Sequence, residues 1–367
     1  MRPTFNQFGP FYRLQLRLGL LSEDDLAAGR RALLFVGLAW IPAVLLAAVE
    51  GVALHPQHDK ALLLDFSIYA FAIAIGAFVL MEQSADKRMA HLVGQFESRG
   101  IATESSLGQL FRARERMERR TGSWMAELAI LVLAFALSWF WITKAVTIAQ
   151  GDAWHGRMVD GIPSPTLAGW WALLFAMPLY WFLFGRWVWR FATWGLLLRD
   201  IARCDLRLVA THPDRCGGLA FMGHYPMAYT LFVFAESTVV SATVLKLIVH
   251  GNAELMGFKF ALLGLIAFFA IALVLPLPVF TPKLVALKRR ALDHYGTLAS
   301  RHNLAFESKW IGPPPQEPAE EMLGSPDPSS LADFAGGYEL ASTDLIIFAH
   351  FASSANKNRL QLEFLQH

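Results

Sequence analysis

The chain has 367 residues, of which 55% are hydrophobic and only 17% charged, whereas a soluble globular protein carries about 25% charged residues. That deficit, with a mean hydropathy of +0.39 and twelve Trp, excludes an ordinary soluble enzyme and points to a membrane protein. A net charge of +2 is too small to imply a nucleic-acid partner, and the two cysteines, Cys204 and Cys216, are too few for a disulfide framework.

Residues 1–30 mix Phe5, Phe8, Phe11, Tyr12, Leu14, Leu16 and Leu18 with Arg2, Arg13 and Arg17. This pattern predicts an interfacial amphipathic segment lying along the bilayer. Ser22 ahead of Glu23, Asp24 and Asp25 offers a cap with acids in the first helical turn. No cleavable leader is expected, because the first long apolar run starts only near Arg31 and a second follows soon after.

Six apolar runs follow, at about 32–54, 61–82, 124–148, 167–195, 226–249 and 257–281. Each is near the ~20 residues that cross a bilayer core. The fourth is long and holds Pro178, which predicts a kink. Arg186 and Arg190 near its end are expected to snorkel into the headgroup layer.

Basic residues alternate between the loops. Arg2, Arg13, Arg17, Arg30 and Arg31 precede the first span, and eight Lys and Arg from Lys87 to Arg120 lie between the second and third. Arg199, Arg203, Arg207 and Arg215 lie between the fourth and fifth, and Lys283, Lys288, Arg289 and Arg290 follow the sixth. The opposite loops carry Lys60, Arg157 and, near Gly251-Asn252, neither Lys nor Arg. The positive-inside rule then predicts both termini in the cytoplasm.

The organisation expected is all-α: a polytopic membrane protein with six transmembrane helices, N-in and C-in, under a helical cytoplasmic layer. A transmembrane hairpin occupies 31–82, a cytoplasmic helical segment 83–123, and helices 3 and 4 residues 124–198. A cytoplasmic loop at 199–225 leads to helices 5 and 6 at 226–283. A cytoplasmic helix at 284–311, a Pro-rich linker at 312–329 and a tail at 330–367 complete the chain. The run R-A-R-E-R-M-E-R-R in 83–123 reads as a solvated helix face laced by Glu115 and Glu118. Its place beside a span also suits anionic lipid headgroups.

Two stretches carry the candidate chemistry. The loop T-H-P-D-R-C-G-G-L holds His212, Asp214, Arg215 and Cys216, with His224 eight residues beyond Cys216. These residue types can ligate zinc, although the spacing matches no standard finger. The structural reading gives Pro213 a turn, Asp214 a capping role, and Gly217-Gly218 positive φ or close packing. A third reading has Arg215 and the glycine amides hold an anion. No nucleophile elbow and no H-E-x-x-H motif is present. No enzymatic activity is therefore expected.

The second stretch is the fifth span, F-V-F-A-E-S-T-V-V-S-A-T-V, with Glu236 near the bilayer midplane. A carboxylate there is costly unless it meets water or a partner. Tyr229, Glu236 and Thr243 recur every seven residues on one face, beside a stripe of Thr230, Ser237 and Ser241. They read as an ion or proton path, or as polar packing inside the bundle. Lys144 and Lys246 are expected to snorkel, and Glu50, Asp65 and Glu127 to cap or sit at interfaces. His55, His58 and Asp59 form a weak surface cluster, and the tryptophans of 170–189 read as an aromatic belt.

The pieces T-H-P-D-R-C-G-G-L-A-F-M-G at 211–223 and S-L-A-D-F-A-G-G-Y-E at 330–339 resemble an uncharacterised family of bacterial multi-pass inner-membrane proteins. The resemblance covers roughly the C-terminal half and implies a bacterial inner-membrane location, but no activity. It also implies a further apolar stretch near the C-terminus, from which residues 340–367 depart.

The function expected from these readings is a homo-oligomeric channel or ion-conducting protein with its path along the fifth span. A membrane sensor or scaffold that binds a cytoplasmic partner or lipid is the alternative, and a membrane-embedded metal-dependent enzyme the third. The lipid bilayer and further copies of the chain are the partners expected. No cofactor is expected beyond the zinc of the loop reading.

Overall fold

A computed structural model describes residues 9–22, 26–54, 61–148, 153–160, 162–251, 253–311 and 326–342. The His55, His58 and Asp59 cluster, the acids at 23–25, most of the Pro-rich linker and the tail beyond 342 lie outside them. The described chain is almost entirely helical. Six of its helical stretches are long and apolar enough to cross a membrane: Ala28–Val49, Phe66–Ser98, Glu104–Ala145, Leu167–Ala202, Ala220–Val249 and Leu255–Trp310. This is the architecture of a multi-pass α-helical membrane protein.

The elements in chain order are α1 (Pro10–Arg17), α2 (Ala28–Val49), α3 (Phe66–Ser98), α4 (Glu104–Thr121) and α5 (Trp124–Ile148). A short antiparallel hairpin follows, β1 (Gly156–Val159) and β2 (Ile162–Pro165), pairing Gly156 with Pro165 and Val159 with Ile162. Then come α6 (Leu167–Trp171), α7 (Met177–Ala202), α8 (Thr230–Gly251), α9 (Lys259–Val274), α10 (Thr281–Trp310) and α11 (Asp327–Ser342).

The chain forms two compact units. The first contains Met1–His91, Arg112–Leu197 and Pro226–Leu273, and the second Leu92–Phe111, Leu198–Tyr225 and Val274–His367.

In the first unit α2 buries Ala28, Arg31, Ala32, Phe35, Ala39, Ala43 and Ala47. This stripe of mostly small side chains, three or four residues apart, lets neighbouring helices approach closely without a hydrophobic gradient to drive them. The kink expected in the fourth span is a widened turn. Pro178 has no N–H to donate four residues back, and the chain adopts a π turn over Ala172–Ala176 between α6 and α7. Glu50 ties the hairpin to this helix start: Leu167 N donates to its Oε2 at 2.7 Å and Arg157 to its Oε1 at 3.2 Å. Helix α9 has no buried residue within the chain, so its apolar surface meets lipid or another molecule.

Arg186 and Arg190 do not snorkel. Both are 5% exposed and face Glu82, itself 4% exposed. Arg190 donates twice to Glu82 Oε1, at 3.1 Å each. Arg31 pairs with Oε2 of the same carboxylate, and Arg186 lies 3.6 Å from Oε1. Arg186 also stands 3.7 Å from Glu127 and 4.6 Å from the centre of the Phe11 ring. Glu127 accepts from Phe11 N at 2.8 Å. The N-terminal segment is therefore anchored to the bundle at α1, with Tyr12 and Gln15 buried.

In the second unit Phe96 packs on Phe221 and Phe280, with ring centroids at 5.1 and 6.3 Å. The 199–225 loop is stitched to the α3–α4 turn by an Ala102–Leu206 bridge and by Arg207 N donating to Ile101 O at 2.8 Å. Helices α10 and α11 pack together, with Asp327 accepting from Lys309 at 2.6 Å and Trp310 at 3.1 Å. In the part of α4 that belongs to the first unit, Arg114–Glu118 and Arg119–Glu115 are i,i+4 pairs at 3.1 and 2.7 Å.

Candidate functional site: a polar chamber on helix α8

The first unit encloses a chamber of about 390 Å³ walled by α2, α3, α5, α7 and α8 and by the Trp154–His155 loop. Helix α8 contributes Glu236, Val239, Thr243 and Lys246, a spacing that puts all four on one face. Ten residues of helix separate Glu236 from Lys246, about 15 Å of rise, and the two mark opposite ends of the chamber.

At the Glu236 end the partner is Tyr180. Its hydroxyl donates to the Glu236 carboxylate, with Oη at 2.9 Å from Oε1 and 3.2 Å from Oε2. Tyr180 is held by Phe71 and Phe78, at centroid distances of 4.8 and 5.9 Å. Among the described residues no Lys or Arg forms an ion pair with Glu236.

The opposite end is an ion pair. Lys246, expected to snorkel, instead donates to Asp65 Oδ2 at 2.8 Å. Asp65 also caps the start of α3 by accepting from Ser67 N at 3.0 Å, and Trp154 Nε1 donates to it at 2.8 Å. Trp154 and His155 are placed by the start of α6. Thr166 caps that helix, its Oγ1 accepting from Gly169 N at 2.9 Å and donating to Trp154 O at 2.6 Å. A Cβ at Gly169 would stand 2.2 Å from His155 O, so only glycine admits the loop this close. Burial and the Lys246 charge, against the opposing pull of Asp65, hold His155 down at about 4, so it is neutral at pH 7.

Three residues expected along the path lie elsewhere. Tyr229 ends a 3-10 segment, Ala220–Tyr229, about two turns before Glu236 and past that end of the chamber. Its ring packs on Trp187 and Phe191 at 6.2 and 5.4 Å. Ser237 and Ser241 do not line the chamber, and Ser241 is exposed. The chamber residues that sequence reasoning missed are Tyr180, His155 and the Asp65–Lys246 pair. An acid and a base flanking separate spans carry no spacing signal that links them.

The loop candidates have a different geometry, all within the second unit. Asp214 Oδ1 accepts from Cys216 N at 2.9 Å and Gly218 N at 3.0 Å, and Oδ2 from Ala220 N at 3.1 Å. His212 Nδ1 sits 2.8 Å from Oδ1. Burial raises the Asp214 carboxyl, but these three amides and His212 outweigh it and hold the group below its ordinary value. Burial and the Asp214 charge push the Cys216 thiol up to about 12. His224 is exposed, its Nδ1 3.3 Å from Phe221 O. Among the described residues no three His, Cys, Asp or Glu side chains converge as a metal site. Arg215 is exposed with φ 54°. Gly217 and Gly218 have φ of 65° and 97°, and a Cβ on Gly217 would crowd Leu287 and Leu284 at 3.2 and 3.3 Å.

Asp214→Ala should therefore open this turn, costing about 1–2 kcal/mol for the lost caps, with faster amide exchange at Cys216, Gly218 and Ala220. The carboxylate's contribution is fully present above its unfolded value near 3.8. It is lost as the pH falls through the lower folded value. Amide protection here should decline on acidification below that range, and Asp214→Ala should lose this pH dependence.

The chain matches no protein family, no curated protein and no solved structure.

Proposed function

We propose that this protein is a transport protein that moves a cation, the proton included, through the α8 chamber, with Glu236 as the group that receives it. The observation that carries this reading is the setting of Glu236. It lies mid-span on the chamber wall with Tyr180 as its hydrogen-bond partner. A cation or a proton would supply the missing countercharge. The chamber walls belong to one chain, so the path needs no axis between copies. A homo-oligomer that covers the apolar face of α9 accords with it. The charge alternation of the loops and the resemblance at 211–223 and 330–339 support a bacterial inner membrane with cytoplasmic termini.

Flux in proteoliposomes tests the reading. The wild-type chain should dissipate an imposed H⁺, Na⁺ or K⁺ gradient, and Glu236→Gln should slow that flux at least ~10-fold, about 1.4 kcal/mol on the barrier. Unchanged flux in Glu236→Gln would remove Glu236 from the path. A wild type that moves no cation under any gradient would end the transport reading.

A further inference from the structure

We propose that the chamber binds a small organic cation, an amine or quaternary ammonium. The inference rests on the transport reading for its route, but the binding stands on the chamber's own walls.

Charge comes first. The Lys246–Asp65 pair at one end is neutral as a unit, and neutral His155 adds nothing. Glu236 leaves the chamber one carboxylate in excess of its bases, so an occupant of positive charge balances it.

The walls then select among cations. Trp40, Phe71, Trp141, Tyr180 and Trp181 all line the chamber. Aromatic faces attract organic cations through their quadrupoles, and by more where water is excluded. A bare metal ion instead needs several oxygen or nitrogen ligands at close range. Beside Glu236 stands a phenol that already donates its proton to the carboxylate. The volume of about 390 Å³ falls at the small end of the roughly 300–1,000 Å³ of small-molecule sites.

Choline, a quaternary ammonium, matches this charge and these walls.

The test is titration of the purified full-length chain in detergent with choline and tetramethylammonium. The neutral control is 3,3-dimethylbutan-1-ol, which replaces the choline nitrogen by carbon. Binding is read by calorimetry and tryptophan fluorescence. Choline should bind saturably and at least ~10-fold tighter than the neutral analogue, and Trp181→Leu should weaken it several-fold. Glu236→Gln should abolish the preference for charge, while Glu236→Asp, which keeps the carboxylate, should retain part of it. Equal binding of choline and its neutral analogue, or wild-type affinity in Glu236→Gln with an unchanged near-ultraviolet circular dichroism spectrum, would overturn the proposal. Inorganic cation flux that depends on Glu236 without choline binding would sink this inference and leave the transport reading. Choline binding without flux of any cation would support the inference and sink transport.

Discussion

Glu82→Ala is expected to destabilise the protein by about 3–5 kcal/mol, the range for removing one partner of a buried ion pair. Three guanidiniums converge on this carboxylate, from Arg31 on α2 and from Arg186 and Arg190 on α7. All three are buried, so none can turn to water when Glu82 is gone. Among the described residues Glu127 pairs with Arg186 and with neither of the other two guanidiniums. The measurement is unfolding of the detergent-solubilised protein, by heat and by denaturant. Glu82→Gln keeps an acceptor oxygen but loses the charge and should fall between wild type and Glu82→Ala. The double variant Glu82→Ala, Arg190→Met should cost less than the sum of its singles, because removing a cation relieves the excess left by the first change. Strict additivity of the two would show that the cluster is not electrostatically coupled.

The second large effect is at Asp65. Asp65→Ala removes the acceptor for Trp154 Nε1 and for Lys246 Nζ and the cap of α3. The expected loss is roughly 2–3 kcal/mol, mostly the orphaned indole and the cap. Lys246 contributes less, because its side chain is 41% exposed and can reach water once released. Lys246→Met instead leaves the buried Asp65 carboxylate with only Trp154 and Ser67 as donors among the described residues and should cost roughly 1–3 kcal/mol. The double variant Asp65→Ala, Lys246→Met should cost less than the sum of its singles, and strict additivity would show that the two are not coupled. Asp65→Ala should also red-shift tryptophan emission, since the Trp154–His155 loop closes that end of the chamber.

Helix existence and membrane class were legible because both follow from local composition. Runs of ~20 apolar residues cannot be soluble loops, and the HPDRCGG segment declares a turn through its Pro, Asp and paired Gly. Glu236 stood out for the same reason, since a carboxylate in mid-span is costly wherever its partner lies. Glu82 escaped notice because it sits at residue 82, where the apolar run gives out. An acid there looks like an interface residue, and only the continuation of α3 to Ser98 places it inside the bundle. Tyr229 misled because a heptad spacing fixes the face of a helix but not how far along it the chamber extends, and the chamber does not reach Tyr229.

By itself, then, the amino-acid order determined where the chain is apolar enough to span, where it turns, and that Glu236 must be accounted for. Tertiary structure alone decided which charges meet. Arg31 and Glu82 are 51 residues apart, Arg190 and Glu82 108, and Asp65 and Lys246 181. Tyr180 finds Glu236 from another helix, 56 residues away. Hydropathy prices each residue against lipid separately, whereas a buried charge is stabilised by its partners. Those partners arrive only when helices distant in sequence pack side by side.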